Sequence, residues 1–154
     1  MNTSRLVFLA ATLLIARLTS ADESRTPEQV VRAYAATWNA NDPAAFFELQ
    51  DAGIQKFALD ASTSGFKLTT SGLETVRQKY APLFAKSSRV HVEIVSLTTL
   101  GEIVVTRDHV TNAAEGYDAN EMTMYQVHDG KIVIIWYLGR ESATPALLAV
   151  PKDP

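Results

Sequence analysis

The chain contains no cysteine among its 154 residues. Thiol catalysis, cysteine-ligated metal sites and disulfide bonds are therefore excluded, and stability must come from a packed core. Glycine is scarce as well, at seven residues, and neither a glycine-rich phosphate loop nor a nucleophile-elbow motif occurs. With 47% hydrophobic and 20% charged residues, the composition indicates a globular domain rather than a disordered chain.

Histidine is also rare, and its spacing does not indicate a metal site. His91, His109 and His128 form neither a His-x-His nor a His-Glu-x-x-His pattern, which are typical of metal-binding strands and helices. We therefore expect no metal ion. No motif in the sequence suggests a cofactor.

The longest apolar run lies at the N-terminus and is too short to cross a membrane. It reads LVFLAATLLIA after Arg5, and these 11 residues fall well short of the ~20 that span a bilayer. Thr19, Ser20 and Ala21 then supply the small residues of a signal-peptidase site, so residues 1–21 are predicted to be a secretory signal peptide. We expect a periplasmic or secreted protein without a stable membrane span. An uncleaved anchor is the alternative, and N-terminal sequencing of the natural product distinguishes the two, because the cleaved chain begins near Asp22.

The chain also has no excess of basic over acidic residues. Loss of Arg5 and Arg17 with the signal peptide leaves 12 of the 14 basic side chains against 17 acidic ones. Such a chain offers no basic patch to a nucleic-acid backbone. The partner that we expect is a small molecule, not a nucleic acid.

Residues 22–141 are predicted to form one domain, followed by a C-terminal tail at 142–154. Helical patterns come first. The segment Thr26-Pro27-Glu28-Gln29 predicts a helix start with a capping box and a proline in the first turn, and apolar residues then recur at helical spacing at Val30, Val31, Tyr34 and Trp38. Pro43 begins a second, short helix. A second capping box at Ser71 and Glu74 predicts a third helix.

The later part of the chain has the period of two that is typical of strands. After a short strand in AGIQKFALD and a polar loop, four strands are predicted in RVHVEIVSL, EIVVTRDHVTN, NEMTMYQV and KIVIIWYL. Asp129-Gly130 predicts a hairpin between the last two. The order predicts an α+β domain whose helices cover one face of an antiparallel sheet. The last strand is apolar on both faces, and the helices can bury only one of them. Something else must therefore pack against the outer side chains, which are Ile132, Ile134, Trp136 and Leu138.

This order of elements, with the segments VVRAYAATWNANDPAAFFEL, GLETVRQKYAPLF and YQVHDGKIVIIWYL, resembles the SnoaL-like and ketosteroid-isomerase-like branch of the nuclear transport factor 2-like superfamily. The resemblance covers about residues 27–141. It implies a cone-shaped fold in which three N-terminal helices pack on a curved antiparallel sheet around an apolar pocket. It also implies a homodimer formed through the outer sheet face.

The resemblance also suggests which residues face the pocket. In the SnoaL-like pattern the set Val105, Arg107, His109 and Thr111 points inward and Asp108 points outward. Arg107 and His109 could then hold an anionic or enolate-like oxygen, and His109 could move a proton near neutral pH. The alternative is that Arg107 is neutralised by an acid such as Glu121 and that His109 is a structural polar residue.

The remaining candidate site residues are those that correspond to catalytic positions of the ketosteroid isomerases. Tyr34 occupies the position of their oxyanion-hole tyrosine, although a core tyrosine explains its spacing equally simply. The general-base aspartate of the isomerases corresponds to Lys56 or Ala58 here, so Asp60 is the nearby carboxylate that could act as the base. Their second oxyanion donor, an aspartic acid, corresponds to Thr123. Further candidate ligand-binding residues are Trp38, which is most simply core, Tyr125 and Tyr137.

Two classes of function remain after these comparisons of residue types. The first is an exported domain whose apolar pocket binds a small hydrophobic, carbonyl or anionic ligand, with polar contacts from Arg107, His109 and Tyr125. The second is a cofactor-independent isomerase, cyclase or hydratase, in which His109 or Asp60 moves a proton while Tyr34 and Arg107 hold an oxyanion. Fold alone does not decide between them.

Overall fold

The computed structural model describes residues 25–60 and 62–141, so the predicted signal peptide and the predicted tail lie outside the described residues. Within these ranges, three helices and six strands follow each other. No helix within the described ranges is long and apolar enough to cross a membrane. The elements are α1 (Pro27–Asn39), α2 (Pro43–Glu48), β1 (Gln50–Asp60), β2 (Gly65–Ser71), α3 (Leu73–Phe84), β3 (His91–Leu100), β4 (Ile103–Asn112), β5 (Tyr117–His128) and β6 (Lys131–Arg140).

The strands form one six-stranded sheet in the order β2-β1-β6-β5-β4-β3. Every neighbouring pair is antiparallel except β1 and β6, which run parallel. The sheet is curved, and α1 and α3 pack on its inner face against β3 to β6 and against β1 and β2, respectively. The predicted α+β architecture is confirmed, with one parallel pair in a sheet that was expected to be wholly antiparallel.

Helix α1 begins where the capping box predicts it. The Thr26 hydroxyl accepts a hydrogen bond from the Gln29 backbone N–H at 3.3 Å, and the Gln29 side chain accepts one from the Thr26 N–H at 2.8 Å. These two bonds satisfy donors that the first turn of a helix otherwise leaves unpaired. The helical spacing then places Val30, Val31, Tyr34 and Trp38 in the core, all of them buried.

The second predicted capping box is wrong, because Ser71 belongs to a strand. Strand β2 occupies most of the segment that was predicted as a polar loop, and Ser71 pairs with Gln55 of β1. Helix α3 therefore starts at Leu73 after Gly72, whose φ of 82° is a left-handed conformation that glycine adopts without strain. β2 is an edge strand in which only Thr70 is buried. Phe66 and Leu68 do alternate with the polar Lys67 and Thr69, but the run is short and both apolar side chains are exposed, so it gives only a weak signal for a strand.

Strand β4 has the predicted pleat but the opposite phase. Thr106, Asp108 and Val110 are buried on the inner face, whereas Arg107 and His109 lie on the outer face and are partly exposed. The prediction that Arg107 and His109 point inward is therefore wrong. The observed phase buries one carboxyl group, whose raised pKa allows it to become neutral, whereas the opposite phase would bury a guanidinium group that keeps its charge.

A bulge at Val133 changes the faces of β6. Val127 pairs with Ile132, but Gln126 pairs with Ile134, so one residue of β6 is left without a partner in the ladder. Ile132 consequently points inward and is fully buried, as Ile135 is. The prediction that Ile132 lies on the outer face is wrong. Ile134 and Trp136 remain on that face, and Leu138 is the unpaired residue of a second irregularity between β5 and β6.

Candidate functional site

A cavity of about 280 Å³ lies between α1, α3 and the inner face of the sheet. Its wall is mostly aromatic and aliphatic, which is typical of sites for small molecules. The polar side chains that reach it come from α1, α3 and the three central strands. The lining residues are Tyr34, Ala35, Trp38, Phe46, Tyr80, Leu83, Val90, Val92, Asp108, Val110, Glu121, Thr123, Tyr125 and Tyr137.

The rings of the aromatic wall pack against one another. Phe46 of α2 stacks on Tyr34 with 4.5 Å between ring centroids and contacts Trp38 at 5.7 Å. The indole N–H of Trp38 donates to the backbone oxygen of Val90 at 2.9 Å, which fixes the ring at the end of the sheet. Tyr125 meets Tyr34 edge-on at 6.1 Å. The wall is therefore a preformed surface of several ring faces and edges.

Asp108 is the buried carboxylate of this cavity. Only 3% of the residue is exposed, and its Oδ2 accepts a hydrogen bond from the Thr106 hydroxyl at 2.8 Å. Burial raises the pKa of Asp108 to about 6, and the nearby charge of Glu121 acts in the same direction. The hydroxyls of Thr106 and Thr123 lower it in part. Even so, no donor among the described residues completes a hydrogen bond to Oδ1.

Glu121 is the second carboxylate of the cavity and stands opposite Asp108 in the ladder of β4 and β5. It is more exposed than Asp108 and accepts a hydrogen bond from the Tyr117 hydroxyl. Arg140 of β6 pairs in register with Glu121, and its guanidinium lies 4.8 Å from the Tyr117 ring centroid. Glu121 thus belongs to a polar group at the rim, whereas Asp108 lies deeper.

Lys56 of β1 lies behind the aromatic wall. It is 1% exposed, and its Nζ donates to the Tyr34 hydroxyl oxygen at 3.2 Å. The same nitrogen lies 4.0 Å from the centroid of the Tyr80 ring, which is within range of a cation–π contact. Burial lowers the pKa of Lys56 to about 7, because removal from water disfavours the charged amine. No carboxylate among the described residues forms an ion pair with it.

The phenols connect Lys56 to the cavity. The hydroxyls of Tyr80 and Tyr137 are 3.0 Å apart, and Tyr34, which accepts from Lys56, lines the same cavity. Burial raises the pKa of Tyr34 well above its usual range, so the group is a neutral phenol at physiological pH. The pKa of Tyr125 is raised by burial and then by the negative charge of Asp108. Neutral phenols can donate a hydrogen bond to a ligand oxygen without carrying charge.

The structure brings five of the predicted site residues to the cavity. They come from α1 and from the two strands that lie next to each other in the centre of the sheet, and all of them are mostly buried. Their chemical roles stay predictions. They are Tyr34, Trp38, Thr123, Tyr125 and Tyr137.

Three other predicted site residues lie elsewhere. Arg107 forms two parallel hydrogen bonds of 2.9 Å with Glu141 on the outer face. His109 contacts Asp118 there, with 2.8 Å between Nε2 and Oδ1. Both side chains follow the phase of β4, so their predicted pocket roles are withdrawn.

Asp60 lies at the end of β1, outside the cavity lining. Its carboxylate accepts hydrogen bonds from the Ser62 hydroxyl at 2.6 Å and from the Ser62 backbone N–H at 3.0 Å. These bonds lower the pKa of Asp60. A carboxylate occupied in this turn is not placed to act on a ligand, and its predicted role as a general base is withdrawn.

Sequence reasoning missed Asp108 and Lys56 as site residues. A signal for Asp108 exists in the even-numbered set Val104, Thr106 and Val110, whose members are better suited to burial than Arg107 and His109. Lys56 alternates with Ile54 along β1 and thereby shares its buried face. Among the described residues, no group of three or more histidine, aspartate or glutamate side chains could hold a metal ion.

Similarity to known proteins agrees with this architecture. The family model described as a SnoaL-like domain matches residues 31–135. No curated protein matches the chain significantly.

Solved structures show the same fold at low sequence identity. A protein from Kribbella flavida, proposed to be a ketosteroid isomerase, is 14% identical with a TM-score of 0.61 over 83% of this chain and 90% of that one. A Catenulispora acidiphila protein with a ketosteroid isomerase-like fold, solved with trimethylamine, is 21% identical with a TM-score of 0.58 over 84% and 100%. A computationally designed 17-OHP binder is 14% identical with a TM-score of 0.60 over 77% and 95%.

The family match covers more than half of the chain, and the element order and the inner cavity agree with it. The sequence resemblance is thereby confirmed. The chain belongs to the SnoaL-like domain family, within the nuclear transport factor 2-like superfamily.

Proposed function

We propose that this chain, exported and cleaved near Ala21, binds a small and largely apolar molecule in the cavity, with Asp108 contacting the polar end of that molecule. The observation that carries the proposal is the free Oδ1 of Asp108 in an aromatic-walled cavity. A buried polar atom without a partner costs free energy, and a ligand that supplies the partner recovers it. A volume of about 280 Å³ has room for a molecule of one or two rings.

The similar structures support a small-molecule site of this kind. Two of them are described with a small molecule, 17-OHP in one and trimethylamine in the other. In the present chain the cavity is lined by phenols, an indole and two carboxylates, so it can contact both an apolar body and a polar group.

Two neighbouring alanines of α1 provide a matched test of the site. Ala35 lines the cavity, whereas Ala36 lies on the exposed face of the same helix. We expect Ala35→Phe to weaken binding of a neutral bicyclic probe such as 2-tetralone by at least about tenfold, or about 1.4 kcal/mol, because the added ring occupies the space that the probe needs. Ala36→Phe should bind the probe like the parent protein. Isothermal titration calorimetry makes the comparison, and equal affinities for all three proteins would show that the probe does not occupy the cavity.

A cofactor-independent acid–base enzyme is the second candidate function. It is favoured by the pKa of Asp108, which lies near 6 and allows the carboxyl group to accept or release a proton close to neutral pH. Tyr34, Tyr125 and Tyr137 are available as donors to a developing oxyanion. The residues that carry this candidate differ from those that the sequence suggested, since Asp108 takes the place of His109 and Asp60.

We also propose that a second copy of the chain covers the outer sheet face. An apolar row crosses five strands in register, from Leu68 through Phe57, Trp136 and Met124 to Val105. Phe57 stacks on Trp136 with 6.1 Å between ring centroids. Apolar patches of this extent are uncommon on monomeric proteins, and a twofold pairing of sheets would remove the row from water.

A charge in the middle of the row should separate the two copies. We expect Trp136→Glu to sediment as a monomer at micromolar concentration, while the parent protein sediments as a dimer, because the carboxylate would be buried without a partner. Thr75→Glu adds the same charge on the exposed face of α3 and should leave the dimer intact. A parent protein that sediments as a monomer contradicts the proposal.

A further inference from the structure

The charges that face the cavity have one sign. Asp108 and Glu121 are the charged groups among the described lining residues, and none of those lining residues is a cation. Arg107 stands next to Asp108 in the sequence, but it points to the other side of the sheet and is held by Glu141. The buried carboxylate therefore has no counter-ion of its own among the lining side chains.

The free oxygen of Asp108 has a specific chemical requirement. Oδ2 already accepts from Thr106, and Oδ1 lies buried without a donor among the described residues. A carboxylate in apolar surroundings is stabilised most by a charged donor, because such a hydrogen bond is about twice as strong as a neutral one. An ammonium group supplies the charge and the N–H together.

The wall around this oxygen suits a cation as well. Tyr34, Trp38, Tyr80 and Tyr125 present rings to the same cavity, and the face of an aromatic ring attracts an ammonium group. The apolar body of a ligand would fill the remaining space against Leu83, Val90 and Val92.

We propose that the cavity takes a small hydrophobic amine, whose ammonium group donates to Oδ1 of Asp108 while its apolar part lies among the aromatic rings. The inference deepens the proposed function and rests on it. It names a cationic ligand class, in contrast to the carbonyl or anionic ligand that an inward Arg107 would have implied.

The ionisable groups around Asp108 determine how binding should depend on pH. Glu121 of β5 pairs with Asp108, and the other ionisable groups that line the same cavity are Tyr125 of β5, Tyr34 of α1, Tyr80 of α3 and Tyr137 of β6. The phenols are neutral near pH 7 because burial raises their pKa values. Lys56 lies behind Tyr34, and its pKa of about 7 makes it a second group that changes charge in this range.

The test compares amines with alcohols of the same shape by calorimetry. The pairs are benzylamine with benzyl alcohol, cyclohexylmethylamine with cyclohexylmethanol, and 2-phenylethylamine with 2-phenylethanol. At pH 8 we expect at least one amine to bind tenfold or more tightly than its alcohol, since a hydrogen bond from a charged donor to a carboxylate is about twice as strong as a neutral one. At pH 5 that amine should bind roughly tenfold more weakly, because about nine-tenths of Asp108 is then protonated.

Three variants identify the source of these effects. Asp108→Asn should remove both the preference for the amine and its dependence on pH. Asp118→Asn makes the same change on the outer face and should preserve both. Lys56→Met should also preserve the weakening at pH 5 if Asp108 causes it. A dependence on pH that disappears with Lys56 but persists without Asp108 overturns the assignment.

The remaining outcomes separate this inference from the proposed function. If the alcohols bind as tightly as the amines, or if amines bind more tightly as the pH falls, the amine class is wrong and a neutral-ligand cavity stands. If neither class binds, and 2-tetralone does not bind either, the cavity is not a ligand site and both proposals fail.

Discussion

Lys56→Met should raise the free energy of unfolding by several kcal/mol at pH 6. The amine is 1% exposed, and its pKa is lowered from 10.5 to about 7. At about 1.4 kcal/mol for each pKa unit, this depression corresponds to a cost on the order of 4–5 kcal/mol when the lysine is protonated. Methionine has a similar shape, needs no counter-ion, and fits among the rings that surround Nζ.

The sign of the pH dependence follows from where the proton is bound. Between about pH 7 and 10.5 the unfolded chain keeps the proton on Lys56 and the folded chain does not. Unfolding therefore takes up a proton in this range, and the parent protein should become more stable as the pH rises. The gain from Lys56→Met should be largest below pH 7 and should shrink towards pH 10.

Chemical denaturation at several pH values measures this effect. The matched control is Lys67→Met on the exposed edge strand β2, which should change stability by a few tenths of a kcal/mol at every pH. An equal dependence on pH in the parent protein and in Lys56→Met would show that Lys56 does not titrate as described. A variant that is less stable at pH 6 would show that its bond to Tyr34 outweighs the desolvation cost.

Local signals in the sequence were sufficient for much of the fold. The capping box at Thr26 needs only the first turn of α1 to form, and the Asp129-Gly130 hairpin needs only a turn with two residues of positive φ, which are 48° and 72° here. Such features are encoded within a few residues. They were predicted correctly for that reason.

Features that depend on distant partners were harder to predict. β2 is a strand because it pairs with β1, while its own side chains are mostly exposed. The inward position of Ile132 depends on a bulge that forms against β5. The bulge leaves no periodic pattern in its own segment, and the alternation of Phe66 and Leu68 in β2 is too short to predict the pairing by itself.

Only part of the site could be predicted, because local spacing fixes some of its residues and strand pairing fixes the others. Tyr34 was proposed from the resemblance to the isomerases, and helical spacing placed it with Trp38 on the buried face of α1. In β4, strand pleating requires residues 107 and 109 to lie on the same face, but it does not determine whether that face is the inner or the outer face of the sheet. The choice of phase decided whether Arg107 or Asp108 met the cavity. The buried neighbours Val104 and Val110 show that it is Asp108.

The two buried ionisable groups, Asp108 and Lys56, both lower the stability of the fold. Both Asp108 and Lys56 are kept where burial disfavours their charged forms. A core of this size would be more stable with apolar residues at both positions. Strongly shifted groups beside a cavity are typical of functional sites, and this supports a role for the cavity over a purely structural one.

Asp108→Asn is expected to lower the rate of α-proton exchange of a bound ketone by about 10²- to 10⁴-fold if the chain is an acid–base enzyme, the range that a general base contributes. The proton would pass from the carbon next to the carbonyl group to the carboxylate of Asp108. The enolate oxygen formed in this step would accept a hydrogen bond from a phenol such as Tyr34. With a pKa of about 6, Asp108 is active as a base in its ionised form, so the rate should rise with pH up to about 6 and then level off.

Loss of the carboxylate should not unfold the protein. The pKa of Asp108 is higher in the folded chain than its usual value of 3.8, so the folded state binds the proton more tightly between about pH 4 and 6. Stability therefore falls as the pH rises through this range, and an asparagine avoids a cost on the order of 3 kcal/mol at pH 7. Asp108→Asn should be at least as stable as the parent, which separates lost catalysis from lost structure.

Proton NMR of 2-tetralone in deuterated buffer measures the exchange, with Asp118→Asn as the control carboxylate on the outer face. Exchange in the parent protein and in Asp118→Asn, but not in Asp108→Asn, supports the proposal that the chain is an acid–base enzyme. If the parent protein binds the ketone without accelerating its exchange above the buffer rate, Asp108 does not act as a base towards this ketone. The cavity would then be a binding site in which the same carboxylate contacts its ligand without taking a proton from it.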